Sequence, residues 1–293
     1  MKTAQTQHDS ARTSERGSSW GQQQRLEFIE FRLLWEGKLN RSDLIDFFGI
    51  SRPQASLDLA RYIEKAPRNI RYDRQQKTYL AADRFAPAIV SPKPAAYLDL
   101  LLLPKRSRAN FLGWLPPLGL VELPHRQVKA SILREVLLAV RDRRRLRVKY
   151  QSMNRPAPTT REISPHAIAY DGFRWHTRAF CHEHEGFRDF VFARMLQVKG
   201  HLPSAIDPRQ DTAWWRSIDL ILAPNPDLSA AQKQAIALDY GMKGGRLVLK
   251  TRQALAFYVL RQLGLRLTDD EPQVEHLVLL NQRKITKLVN EDG

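Results

Sequence analysis

The sequence predicts an α+β chain of more than one domain, and three observations carry that reading. Between about residues 25 and 84, apolar residues recur at helical spacing and then give way to two short β-prone runs. From 145 to 198 the dominant period is two, centred on Asp171-Gly172, as in sequential antiparallel strands. Beyond about residue 206, strand-like and helix-like runs follow a β-α-β-α-β order that suits a small α+β unit. At 293 residues the chain is long enough for two or three such cores.

Charge and cysteine content narrow the function classes. The formal net charge is +16, from 47 Lys and Arg against 31 Asp and Glu, and the isoelectric point is near 10.2. That balance favours a polyanionic partner, with nucleic acid ahead of anionic lipid. No apolar run approaches the roughly 20 residues of a membrane span, and the first residues lack a secretory signal's apolar core, so a cytoplasmic protein without a membrane partner is expected. Cys181 is the single cysteine, which excludes an intrachain disulfide and a thiolate-rich zinc site; its place on an apolar strand face makes it a buried, inert thiol. Cys181-His182-Glu183-His184-Glu185 offers metal-ligand types, but neighbouring strand positions face opposite ways and Gly186 marks a turn, so a polar turn and no metal or other cofactor is expected. The phosphate-loop, His-Glu-x-x-His and Cys-x-x-Cys patterns are all missing from the sequence, so no enzyme is expected.

Residues 1–24 are rich in Gln, Ser, Thr and charge and poor in aliphatics. A disordered tail is expected there, because little apolar surface offsets the entropy of ordering. From Arg25, the residues Leu26, Phe28, Ile29, Leu33 and Leu34 make a helical stripe that Gly37 ends. Asn40 or Ser42 can cap a second, short helix carrying Leu44, Ile45 and Phe48, and Gly49 supplies the left-handed residue of a sharp turn. Ser51 caps a third helix, with Pro53 tolerated in its first turn, that runs through Leu57, Leu59, Ala60 and Ile63 to the break at Pro67. Two helices joined by Gly49-Ile50-Ser51 are the helix-turn-helix layout, and Ile70 to Leu80 adds a hairpin around a basic loop. Segment 25–84 therefore reads as a winged helix-turn-helix. In such a module the third helix enters the major groove, so Arg52, Gln54, Ala55, Ser56 and Asp58 are candidates to face bases, and Arg74 and Lys77 to meet phosphates. Arg41 and Ser51, at the starts of the second and third helices, complete the DNA-facing set. A small helical unit of this kind can instead serve for dimerisation.

Pro87, Pro92, Pro94, Pro104, Pro116, Pro117 and Pro124 punctuate the next stretch, so 85–127 reads as a linker around a short helix at 95–103. From Val128 an amphipathic helix with Ile132, Leu133, Val136, Leu137 and Val140 runs into Arg141-Asp142-Arg143-Arg144-Arg145, a charge run that also suits the negative end of a helix. A strand follows, with Leu146, Val148 and Tyr150 on one face and Arg145, Arg147 and Lys149 on the other. Asp171-Gly172 signals a two-residue hairpin turn. Beyond it, Phe173, Trp175, Thr177, Ala179 and Cys181 share a core face, while Arg174, His176, Arg178 and Phe180 share a basic, aromatic one that can pair with phosphates and stack on a base. The bland alternative is a solvated outer face of an ordinary sheet. The run Phe187 to Val198 lacks clean alternation, which indicates a bulge in the last strand of a small, strongly bent barrel spanning 128–205. In 206–293, Trp214 to Leu222 reads as a strand, Ser229 caps a helix to about 240, Arg246 to Lys250 is a strand, 252–263 a helix ending near Gly264, and His276 to Leu280 closes the set.

The motifs Ile163-Ser164-Pro165-His166, Tyr170-Asp171-Gly172-Phe173-Arg174-Trp175-His176, Phe187-Arg188-Asp189-Phe190 and Arg194 together resemble the WYL-domain transcription regulators, in particular the branch found with BREX and CBASS anti-phage defence systems. The run that gives the family its name, Trp-Tyr-Leu, is Trp175-His176-Thr177 here. The resemblance covers nearly the whole chain beyond the tail. It implies an N-terminal winged helix-turn-helix, a WYL domain with an Sm-like β-barrel, a C-terminal extension domain, and a homodimer. It also implies a repressor of a defence operon on double-stranded operator DNA, with an inverted repeat matching the dimer, and a nucleotide or nucleic-acid effector at the barrel. Carried over by position, Tyr150, Ser152, His166, Tyr170, Trp175, His176, Arg178, Arg188 and Arg194 are pocket candidates. Period two supports His176 and Arg178 but places Trp175 on the core side, as a structural residue. The competing reading is a single-stranded nucleic-acid-binding accessory protein that uses the barrel surface.

Overall fold

The computed structural model describes residues 5–104, 111–121, 123–124, 126–265 and 276–290, with side chains from residue 20 onward. The chain divides into two units, Met1–Glu122 and Leu123–Gly293.

The first unit opens with helix α1 (Gln5–Glu36). Where a disordered tail to residue 24 is expected from composition, the backbone is helical from Gln5, in keeping with the helix-forming Gln, Arg and Glu of this stretch. Residues 1–4 of that tail lie outside the described residues. Gly37, at φ 72°, ends α1 and starts a two-residue strand β1 (Lys38–Leu39) that the sequence did not announce. Helix α2 (Arg41–Phe48) starts at Asn40, whose N–H donates to the Asp43 carboxylate at 2.5 Å, and stops at Gly49, φ 65°. Helix α3 (Arg52–Lys65) is capped by the Ser51 hydroxyl, which accepts from the Gln54 N–H at 3.3 Å. Strands β2 (Ile70–Asp73) and β3 (Thr78–Ala81) form the wing, and β1 pairs with β3 to give the order β1-β3-β2. Leu26, Phe28, Ile29, Leu33, Leu44, Leu59 and Tyr62 make one core.

The proline-rich stretch is no loose linker in its described part. Glu30, fully buried, accepts N–H bonds from Ala88 (2.9 Å), Ile89 and Val90 (2.6 Å each) and the Tyr62 hydroxyl (3.1 Å). Helix α4 (Pro94–Leu102) packs Leu101 beside Phe31 and Leu112. This segment is therefore part of the first unit's packing; its residues 105–110 lie outside the described residues.

In the second unit, helix α5 (Ala130–Asp142) lays Ile132, Val136 and Ala139 on a five-stranded sheet. The strands are β4 (Arg144–Tyr150), β5 (Thr159–Tyr170), β6 (Trp175–Cys181), β7 (Gly186–Val191) and β8 (Met195–Pro203), in the order β7-β6-β5-β4-β8. The two edge strands are consecutive and joined only by the 3-10 turn Phe192–Arg194, so the sheet must curl into a small barrel for its edges to meet there. The irregular alternation of 187–198 reflects this break between two strands and also the expected bulge in the last of them, since Lys149 pairs with Gln197 and Tyr150 with Met195, leaving Leu196 of β8 extra. A bulge also occurs in β5: register shifts between Pro165 and Ala167 and leaves His166 outside the ladder. The Asp171-Gly172 hairpin has a four-residue loop, not two, since Tyr170 pairs with Trp175 and Asp171 Oδ1 ties the loop by accepting from the N–H groups of Phe173 and Arg174.

Beyond the barrel, helix α6 (Thr212–Trp215) replaces the first residues of the strand expected at 214–222, because Asp211 caps the Trp214 N–H, and strand β9 (Ser217–Pro224) follows. Helix α7 (Ala230–Asp239), strand β10 (Leu247–Arg252), the 3-10 turn Gln253–Leu255, helix α8 (Ala256–Gln262) and strand β11 (Leu277–Leu279) complete the expected order, with β9 central in β10-β9-β11. A further helix α9 (Gln282–Asn290) buries Ile285 in this core. The closing residues 291–293 and the 266–275 segment lie outside the described residues. No helix among the described residues is long and apolar enough to cross a membrane.

Candidate functional site

The winged helix presents its cations at tips and helix starts. Ser51, Arg52, Arg74 and Lys77 are exposed, and so is Arg71 on β2. The wing loop is shaped by Asp73, whose Oδ1 accepts from the Gln75 (2.8 Å) and Gln76 (2.9 Å) N–H groups, and by Lys77 at φ 51°. Two expected base-facing residues, Ala55 and Asp58, are turned inward. Ala55 is fully buried in the core, because α3 turns Ala55, Leu59 and Tyr62 inward at spacings of four and three. Asp58, on that same inward face, accepts from Arg25 Nε at 2.6 Å and from Gln54 Nε2 at 3.0 Å. Gln54 is thereby half-buried and engaged, and the Ser56 hydroxyl donates to the Arg52 carbonyl at 3.0 Å. The outer face instead shows Leu57 and Ile63, 45% and 40% exposed, which the apolar pattern had placed inside. Arg41 is half-buried, and its Nε has no hydrogen-bond partner.

The barrel carries a cavity of about 430 Å³. Five of the expected pocket residues line it: Tyr150, Ser152, Arg178, Arg188 and Arg194. Their surroundings differ. Arg178 is 3% exposed and clamped on Asp211 through Nε (2.8 Å) and Nη2 (3.1 Å), with Asp189 Oδ1 at 3.6 Å from Nη1. Arg188 and Arg194 make no ion pair among the described residues. Burial pushes Asp189 up, against the pull of Arg178 and of the hydrogen bond from the Tyr258 hydroxyl, 2.8 Å from Oδ2. Asp211 is also raised by burial, but hydrogen bonds from His166 and Arg178 outweigh that and hold it at about 2. The cavity is thus ringed by guanidinium groups, with Tyr150, Phe187, Phe257 and Tyr258 as ring surfaces. It can take a flat, negatively charged ligand.

The remaining expected pocket residues lie elsewhere. His176, 3% exposed, bonds Asp171 Oδ2 at 2.9 Å behind the hairpin. Against the raising effect of burial, His176 and the two loop N–H groups hold Asp171 at about 2. Tyr170 and Trp175 are half-exposed and stack at 4.8 Å; the expectation that Trp175 belongs to the core is overturned, as is that for Phe173, 56% exposed. The core face of β6 begins only at Thr177, past the loop. His166, displaced by the β5 bulge, lines a second cavity. The basic face of β6 is not solvated: α6 and α8 cover it through Asp211 and Tyr258.

Arg161, Asp189, Gln253, Phe257 and Tyr258 complete the cavity and were not singled out in the sequence. Arg161 had a readable signal, a charged residue in phase with buried Ile163; Gln253 to Tyr258 come from a segment that starts 50 residues after the last barrel strand ends at Pro203, and had none. Cys181, Glu183 and His184 offer ligand atoms within 4.8 Å of one another. Cys181 is however buried in the barrel core as expected, and Glu183 pairs with Arg155 (3.2 Å) and Arg161 (3.6 Å), which is the polar turn read from the sequence.

Comparison with known families gives three matches in order along the chain: the BrxR transcriptional regulator winged helix-turn-helix domain over residues 21–103, the WYL domain over 131–199, and the BrxR transcriptional regulator C-terminal dimerization domain over 217–285. Among curated relatives, the DNA-binding transcriptional repressor CapW of Escherichia coli strain KTE188 is 40% identical over 281 residues, 94% of each chain. CapW of Stenotrophomonas maltophilia is 41% identical over 93% of this chain and 94% of that one, and CapW of Pseudomonas aeruginosa 40% identical over 93% of each. Proteasome accessory factor B/C of Arthrobacter aurescens aligns over 92% of this chain and 48% of its own at 19% identity, with a TM-score of 0.25, too low to bear on the fold. With its winged helix, its barrel and its C-terminal domain each matched in place, the chain belongs to the WYL-domain transcriptional regulators of the BrxR and CapW type, a non-enzymatic family.

Proposed function

We propose that this chain is a homodimeric, sequence-specific DNA-binding repressor of an anti-phage defence operon, and that its barrel cavity senses a nucleotide or nucleic-acid effector. The observation that carries the effector reading is the pair Arg188 and Arg194: both line an aromatic cavity, and neither makes an ion pair among the described residues, whereas Arg178 beside them is neutralised by Asp211. Arg188 is exposed and Arg194 half-buried at the cavity, and guanidinium groups left without a carboxylate suit phosphate. DNA binding is supported by the exposed start of α3, the basic wing tip and the name of the CapW relatives; dimer formation is supported by the match to a C-terminal dimerization domain. A dimer places its two reading helices about 34–36 Å apart or a multiple of that, so the operator is an inverted repeat.

Footprinting on the DNA upstream of the gene tests the reading, together with gel shifts against scrambled duplex and single strand across a salt series. Protection of an inverted repeat at physiological salt, altered by short single-stranded oligonucleotides or nucleotides, is the expected result. Equal, salt-sensitive binding to every duplex overturns it, and preference for single strands favours an accessory protein working through the barrel.

A further inference from the structure

We propose that the second barrel cavity, on the far side of Phe187 from the first, is a site for hydrogen phosphate, either free or as a terminal phosphate group. The inference goes beyond the effector cavity and does not depend on it. The cavity measures about 300 Å³, room enough for a tetrahedral oxyanion. Arg141, Arg143 and Arg144 line it, the charge run at the end of α5. Arg141 is bound to Asp142 through Nε (2.7 Å) and Nη2 (2.9 Å). That contact occupies the near carboxylate, and Arg143 and Arg144 make no ion pair among the described residues. Arg143 also sits at φ 51°, where L residues other than Gly, Asn and Asp are uncommon.

The second, independent observation is His166. The β5 bulge places its side chain, 4% exposed, in the wall of this cavity. Its Nε2 lies 2.8 Å from Asp211 Oδ2, and because Asp211 is an ionised carboxylate, Nε2 must be the donor. Nδ1 is buried and has no partner. In the neutral ring that atom offers a lone pair, so the ligand that completes the site brings both negative charge for the arginines and a hydroxyl for Nδ1. Hydrogen phosphate has both. Sulfate has the same shape and charge, but at neutral pH it has no proton to give.

The test uses the full-length chain carrying Arg188→Ala and Arg194→Ala, which disables the effector cavity, so failure here leaves the proposed function untouched. Inorganic phosphate is titrated at constant ionic strength and followed by 31P line broadening. Saturable binding is expected, weakened at least tenfold by adding Arg143→Gly and Arg144→Gln, with an unchanged melting temperature showing that the fold is intact. Sulfate is expected to compete at least fivefold more weakly than phosphate. A 5′-phosphorylated oligonucleotide that competes better than its unphosphorylated twin assigns the site to a terminal phosphate; equal competition by the two, with phosphate binding retained, assigns it to the free ion. Phosphate binding indifferent to Arg143 and Arg144, absent altogether, or matched by sulfate overturns the proposal.

Discussion

The reading helix and the barrel cavity both rest on a buried carboxylate, and they use it in opposite ways. In the first unit Asp58 draws Arg25 and Gln54 inward, so the carboxylate engages a glutamine of α3 while Arg52 and the wing cations stay exposed. In the second, Asp211 holds Arg178 together with His166, while Arg188 and Arg194 line the cavity without an ion pair among the described residues. The position of an acid thus decides which of several neighbouring cations is available to a ligand, and counting basic residues along a strand or helix does not.

The largest effect that can break this comparison is at Asp211. Asp211→Ala leaves Arg178 and His166 buried without their shared acceptor and is expected to destabilise the second unit by about 3–5 kcal/mol, read by urea unfolding; a cost near zero removes Asp211 as the organising group. Asp58→Ala is expected to cost about 2 kcal/mol, less because Arg25 is 15% exposed and can turn to water. Acid should act on the same groups. Asp171 and Asp211 are held at about 2 in the fold against an ordinary 3.8, so their contribution is complete above about pH 4 and disappears as the pH falls towards 2. The urea midpoint should drop across that window, and less steeply in Asp171→Asn.

Smaller effects sharpen the contrast. Arg52→Ala should lower operator affinity by about 1–3 kcal/mol with a loss of sequence preference, whereas Lys77→Ala should weaken all duplexes alike and reduce the salt slope by about one. Gel shifts across a salt series separate them. Arg188→Ala with Arg194→Ala should abolish the effector response, leave operator affinity in place and change stability by no more than about 0.5 kcal/mol, since neither side chain makes an ion pair among the described residues.

Much of the fold was legible. Gly37, Gly49 and Ser51 punctuate the helices where backbone geometry demands, and period two marked β4 and the core face of β6 from Thr177 onward. What escaped was non-local. The exposed Trp175 and the displaced His166 follow from a four-residue loop and a bulge, each of which shifts phase by residues that periodicity alone cannot count. The recognition helix was misphased because Ala55 and Asp58 look polar or neutral, yet they face inward where Arg25 supplies a partner 33 residues away. Within the cavity, the strand residues were readable and the wall from 253–258 was not.

That wall changes what counts as an exchangeable part. Gln253, Ala254, Phe257 and Tyr258 close the cavity, although they fall within the segment matched as the C-terminal dimerization domain, while Tyr150 to Arg194 fall within the WYL match. A chimera joined between residues 199 and 217 would therefore inherit half a binding site from each parent. Exchange at this seam would replace the cavity wall and the matched dimerization segment together, and a fragment cut there would lose Tyr258 from the basic face of β6.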